Sequence, residues 1–204
     1  MLKHNDRSQV GQPMATYSLV DQHGHRVDSD QPIELARVVM FWCNHCPYVR
    51  CVEPIVLDLA RQWQPKGIDF IAICSNDVVA YPDDHPDRMR EHALAQSYPF
   101  SYGYDTDQSV AKAFNAECTP DFLVYNNKQR CIYHGRLDDT TPNHPSQAPG
   151  LDLQTVFKAL KAQKPISLVQ RPSLGCSIKW RHASPESSGL QPLKTSIKQG
   201  ARRR

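Results

Sequence analysis

The 204-residue sequence has no apolar run long enough to cross a membrane, and its first residues, Met1-Leu2-Lys3-His4-Asn5-Asp6-Arg7, hold no apolar leader segment. A cytoplasmic protein without a membrane span is the expectation. A large charge of one sign is missing too. The formal net charge is +3, and residues 181–204 carry six Lys or Arg against Glu186 alone. The rest is therefore slightly acidic, which argues against a nucleic-acid groove. No internal repeat is visible. There is no second Cys-x-x-Cys and no His-x3–5-His pair, so a four-ligand structural zinc site lacks half its ligands. What the chain does have is seven cysteines (43, 46, 51, 74, 118, 131 and 176). Seven is an odd number in a chain too long for a disulfide miniprotein. In a reducing compartment most are expected as free thiols, which draws attention to the one closely spaced pair.

That pair lies in Phe41-Trp42-Cys43-Asn44-His45-Cys46-Pro47. The run Val38, Val39, Met40, Phe41, Trp42 reads as a strand that ends at Cys43. Pro47 suits a first helical turn, and Val49, Val52, Ile55, Val56, Leu59 and Ala60 form a helical stripe that Pro54 should kink. A helix N-terminus carries partial positive charge and unpaired N–H groups, so it favours a thiolate. Cys43 is the expected nucleophile, with its pKa lowered, and Cys46 the thiol that closes a disulfide on it. His45 can add a hydrogen bond or a positive charge. A metal knuckle using Cys43, Cys46 and a histidine is the competing reading.

Along the rest of the chain, residues 1–16 show little pattern and read as an extension. Residues 17–27 read as a hairpin turning at Gly24, and 68–74 as a strand buried on both faces. Asp87 can cap a helix to about Gln96, and 98–100 can form a short strand. Residues 105–107 can cap a helix that turns Val110, Ala111, Ala113 and Phe114 inward. Thr119-Pro120 precedes a hairpin, 138–150 form a polar loop, and a helix covers about 152–163. Strands alternating with helices, then a hairpin and a helix, predict an α/β sandwich with a mixed sheet. Its active site should lie at the carboxyl ends of the strands, where Cys43 lies.

This order resembles the thioredoxin fold, a three-layer α/β/α sandwich, through the Trp42 to Pro47 motif and Thr119-Pro120. A closer resemblance is to a redoxin-like branch of the thioredoxin superfamily, the alkyl hydroperoxide reductase/thiol-specific antioxidant type. That branch carries Cys-Asn-His-Cys-Pro-Phe/Tyr-Val, Ser-Asn-Asp, Cys-Thr-Pro-Asp-Phe, Gly-x-Leu-Asp-Asp and Gly-Cys-x-Ile-Lys-Trp. They match residues 43–49, 75–77, 118–122, 135–139 and 175–180 here. Cys51, Cys131 and the tail after 181 depart from the pattern. The resemblance implies a cis Thr119-Pro120 peptide packed against the active-site pair. It also implies a domain over 17–164, with 165–180 folding back on it; the unmatched residues 181–204 read, from their charge, as a basic, disordered tail.

The implied activity is thiol–disulfide exchange. Its partners would be disulfide-containing proteins or small thiols and a reducing or oxidising redox partner, with no cofactor. Trp42, Thr119 and Pro120 are expected to dock a substrate backbone, with core packing the other reading for Trp42. Asp77 is a candidate proton acceptor near Cys46, or else a loop or capping residue. Cys118 is either a third redox thiol or a packed one. Cys176 is a candidate resolving thiol in a tail motif that can fold back. A peroxidase is the rival within enzymes, but peroxiredoxins need a Pro-x-x-x-Thr/Ser-x-x-Cys frame. Counting back from Cys43, the hydroxyl and proline positions hold Met40 and Ala36; from Cys46 they hold Cys43 and Val39.

Overall fold

The structure, a computed structural model, describes residues 1–181; the expected disordered tail lies, past Arg181, outside the described residues. The elements are β1 (Leu2–Asn5), β2 (Ser18–Val20), β3 (Arg26–Asp28), β4 (Ala36–Phe41), α1 (Pro47–Trp63), β5 (Ile68–Cys74) and α2 (Pro86–Ala95). They continue with β6 (Ser101–Tyr104), α3 (Ser109–Ala113), β7 (Cys118–Thr119), β8 (Asp121–Asn126), β9 (Cys131–Gly135), α4 (Leu151–Lys161) and β10 (Ser173–Ser177).

The central sheet has the order β6-β5-β4-β8-β9. β4 and β5 are parallel, as are β5 and β6, whereas β8 runs antiparallel to both β4 and β9. The sheet is therefore mixed, and helices cover both faces, as in thioredoxin folds. β4 is buried at every position, and its side chains alternate between two cores. Val38, Met40 and Trp42 pack with Val52 and Val56 of α1 and Val156 and Phe157 of α4. Val39 and Phe41 pack with Val110 and Phe114 beside α3 and with Leu19 of the first hairpin. The charge inside this strand is satisfied: Arg37 Nε donates to Asp69 Oδ2 at 2.6 Å, and Nη1 to the Ser29 carbonyl at 3.2 Å.

Several expected elements move by a few residues. α1 runs unbroken through Pro54, which lies on the exposed face. α2 is capped by His85, whose ring accepts the Asp87 N–H, with Pro86 at the first position. The strand expected at 98–100 forms at 101–104 instead, since Pro99 has no N–H to give a ladder. α3 has only five residues, and Ala113 faces solvent.

Residues 1–16 are not patternless in space, because β1 pairs antiparallel with β10. β10 in turn pairs with β7, forming a second, three-stranded sheet. β1 is pinned through Asn5, whose side-chain amide donates to Asp121 Oδ2 at 2.7 Å. His134 Nδ1 accepts the Gln9 N–H, which leaves its Nε2–H to donate to Asp121 at 3.1 Å.

Candidate active site

β4 stops at Phe41 and α1 starts at Pro47, so Cys43 and Cys46 occupy the turn between them. Cys46 is the N-cap, with extended backbone, and Pro47 takes the first helical position, where a missing N–H costs nothing. Both cysteines are 0% exposed. The Thr119-Pro120 peptide is cis, and Thr119 lies against both thiols. Its hydroxyl is 3.1 Å from Cys43 Sγ and its carbonyl oxygen 3.2 Å from Cys46 Sγ.

A third thiol completes the group. Cys176 sits opposite Thr119 in the β10–β7 pairing, close enough to Cys46 for each thiol to shift the other's ionisation. Gly175 makes this approach feasible. A Cβ there would fall 2.0 Å from the Thr119 carbonyl oxygen, well inside contact distance.

The charge of this group rests on Cys46. Donation from the Cys176 thiol, then from Cys43, holds Cys46 far below the ordinary thiol range despite burial, and the Val49 N–H of the first helical turn adds to it. Cys43 goes the other way: burial raises it most, then its bond to Cys46, then the Asp84 charge. Within this coupled pair the donors favour the charge on Cys46, with the shared proton toward Cys43. The Val49 N–H of the first helical turn aims at Cys46, while a His45 ring nitrogen lies within 4.8 Å of Cys43 Sγ.

His45 turns to Asp84. Its Nδ1 lies 2.6 Å from Asp84 Oδ2, and the ring stacks on Tyr81 with centroids 5.0 Å apart. Asp84 is fully buried and also accepts from the Asn44 N–H and the Asn76 amide, each at 2.8 Å. It thereby fixes the Asn44-His45 turn between the two thiols. Asp84 was not singled out in the sequence, because an acid in a Pro-rich loop some forty positions downstream has no periodic or spacing signal. Asp77, the acid that was singled out, is half-buried and accepts the Val79 N–H at 3.0 Å within a turn. It caps that turn and makes no bond to Cys46.

Trp42 is corrected as a docking residue. It is 1% exposed, its indole N–H donates to the Tyr98 hydroxyl at 3.0 Å, and that hydroxyl donates to buried Glu53. With its one polar atom satisfied inward, it packs the core. Thr119 is 2% exposed and faces the thiols. Pro120 is buried from the bulk but lines a cavity of about 280 Å³ with Tyr48, Val52, Phe122, Leu137 and Leu174. Cys118 is 0% exposed, its thiol is 4.0 Å from the Pro120 carbonyl, and burial pushes it far up. Burial also raises Cys74 strongly, Cys51 to about 11 and Cys131 to about 12. Among the described residues, Cys43, His45 and Asp84 form a group whose ligand atoms all lie within 4.8 Å of one another. No helix among those residues is long and apolar enough to cross a membrane.

A family model described as the AhpC/TSA family matches residues 10–134. No curated protein matches the sequence. An uncharacterized conserved protein from Geobacillus kaustophilus is similar at 38% identity, covering 90% of this chain and 98% of its own, with a TM-score of 0.87. A hypothetical protein from Sinorhizobium meliloti is similar at 34% identity, covering 88% and 98%, with a TM-score of 0.84. The thioredoxin domain of a thiol-disulfide oxidoreductase from Bacteroides vulgatus shares the fold at 14% identity, covering 76% and 99%, with a TM-score of 0.59. The family match takes in β4, the thiol pair, the cis Thr119-Pro120 step and the following hairpin, and on it the chain belongs to the AhpC/TSA family, within the thioredoxin superfamily.

Proposed function

We propose that the protein is a thiol–disulfide oxidoreductase that works through Cys43 and Cys46 and a mixed-disulfide intermediate. The observation that carries this reading is a buried thiol pair on the turn between β4 and α1, packed against the cis Thr119-Pro120 peptide, in which each thiol shifts the ionisation of the other. Two thiols so coupled titrate as a unit, and the proton passes between them. Cys43 gives its proton to Cys46 and attacks one sulfur of a substrate disulfide. The Cys43–substrate bond forms, the substrate S–S bond breaks, and the leaving thiolate takes the proton from Cys46. The Cys46 thiolate then attacks Cys43 Sγ and expels the second substrate thiolate, leaving a Cys43–Cys46 disulfide. A dithiol partner restores the pair, and with an oxidising partner the sequence runs backwards.

Asp84 and His45 support this by fixing the turn that sets the spacing of the two thiols. The cavity beside Pro120, lined by apolar residues and by Arg136, Asp138, Asp139 and Arg171, can take the flank of a protein or small-thiol disulfide. Seven unpaired cysteines are compatible with a reducing, cytoplasmic setting.

The test is dithiothreitol-driven reduction of insulin disulfides, with hydrogen peroxide consumption followed in parallel. Cys43→Ser and Cys46→Ser should each lower disulfide turnover by at least about 100-fold. Full turnover in Cys43→Ser would remove the assignment. Peroxide consumption should be slight: Met40 and Ala36, where the peroxide frame needs a hydroxyl and a proline, are both buried in β4. The Cys43-His45-Asp84 group favours one other reading, a metal-binding or redox-sensing protein. Stoichiometric zinc or copper in the purified protein would establish it in place of dithiol exchange.

A further inference from the structure

Both thiols of the pair are covered, and the element that covers Cys46 brings a cysteine of its own. β10 runs along the two residues just before Pro120, with Cys176 opposite Thr119, the residue whose carbonyl lies 3.2 Å from Cys46 Sγ. Cys176 is half-buried and packs on the core cluster that contains Cys43 and Cys46. Gly175 is the only residue type that permits the approach, and β1 holds the far edge of β10 over the whole length of Leu2–Asn5. Thr119 thus links the three cysteines: its hydroxyl meets Cys43, its carbonyl meets Cys46, and Cys176 lies opposite it on β10.

We propose that Cys176 is a third exchange thiol, which takes over the disulfide from Cys43 by attacking Cys46 Sγ. The proposal rests on the dithiol reading above. A substrate disulfide first oxidises Cys43 and Cys46. The Cys176 thiolate then attacks Cys46 Sγ, the Cys46–Cys176 bond forms, and the Cys43–Cys46 bond breaks. Cys43 leaves as a thiolate and accepts the proton that Cys176 gave up. No electrons are gained or lost in this step, so it needs no further reactant. Its result is a free Cys43 thiol in a protein that still stores the oxidising equivalents of the first substrate.

The environment of Cys176 suits this order of events. In the reduced protein the neighbouring Cys46 raises Cys176 most, with burial second. Once Cys46 is in a disulfide it can no longer carry charge, and that influence is lost. The Lys179 ammonium, anchored at 2.7 Å on the Ser177 carbonyl, remains nearby and favours the Cys176 thiolate.

The test is tryptic mapping of the intact protein under non-reducing conditions after exposure to hydroxyethyl disulfide. One tryptic peptide, 38–50, carries both Cys43 and Cys46, whereas Cys176 lies on another. A Cys46–Cys176 bond therefore appears as a cross-link between peptides. Wild type should show both the closed 38–50 loop and the cross-link, with hydroxyethyl adduct on Cys43 in the cross-linked fraction. Cys43→Ser, and Cys43→Ala as its second form, should give the cross-link as the main product. Cys176→Ser should give only the closed loop. If wild type closes the loop but neither it nor the Cys43 variants cross-link, the third thiol is wrong and the dithiol reading stands. If folded wild type never closes the loop, the dithiol reading falls and the relay falls with it.

Discussion

Cys46 and Cys74 are equally hidden from solvent, both 0% exposed, and Cys74 closes β5 next to the strand that leads into the motif. Their chemistry is opposite. Burial drives Cys74 far up, whereas Cys46 is drawn far down by the Cys176 and Cys43 thiols. Removing a thiol from water penalises its charged form in both places. The difference lies in which groups point at the sulfur. With exposure equal, it is the donors at a helix N-terminus and on a neighbouring strand that set the direction of the shift.

Replacing either thiol breaks the comparison most directly. Cys46→Ser should cost disulfide turnover at least about 100-fold, and Cys74→Ala should leave it within about twofold. Both are read from the same insulin-reduction rates. The second test concerns the two acids. Asp84→Ala strips a fully buried carboxylate from the donors of Asn44, His45 and Asn76, and should cost about 3 kcal/mol in urea unfolding. Asp77→Ala removes a single turn bond and should cost less than about 1 kcal/mol.

Gly175→Ala sharpens the contrast from the strand side. The added Cβ meets Thr119 backbone, so β10 must shift away, at about 1–3 kcal/mol. Cys176 should then be alkylated faster than in wild type, as mass spectrometry would show. The smallest expected effect is on stability against pH. Cys46 has its folded pKa depressed below the ordinary 9.0. Between that lowered value and 9.0 the unfolded chain binds a proton that the folded one does not, so stability rises with pH in that window. The reduced wild type should gain stability between about pH 6 and pH 8. Cys46→Ser should flatten that slope in urea midpoints.

The central sheet was legible because its signals are local. A run of β-prone residues closing on Cys43, a continuous apolar run at 68–74 and a Thr-Pro step each announce themselves within a few positions. Other features depend on distant partners and left no trace. β1 is an edge strand with three exposed side chains, joined to β10 through backbone alone, so no apolar alternation marks it. Asp84 gains its place at the site from loop geometry. Trp42 reads as a surface dock until Tyr98 and Glu53, from two helices' neighbourhoods, turn it inward. The influence of Cys176 on the pair was hidden for the same reason. The sequence shows a helix start next to two cysteines, but only the folded chain shows that the Val49 N–H and Cys176 converge on the second of them.

The most direct test is a pH titration of thiolate ultraviolet absorbance on the reduced protein. One thiolate per chain should persist well below the ordinary thiol value of 9.0, and its midpoint should rise by at least about one unit in Cys176→Ser. The low-pH step should vanish in Cys46→Ser and stay in place in Cys74→Ala. A wild type whose thiols all ionise only near or above 9.0 would contradict the account.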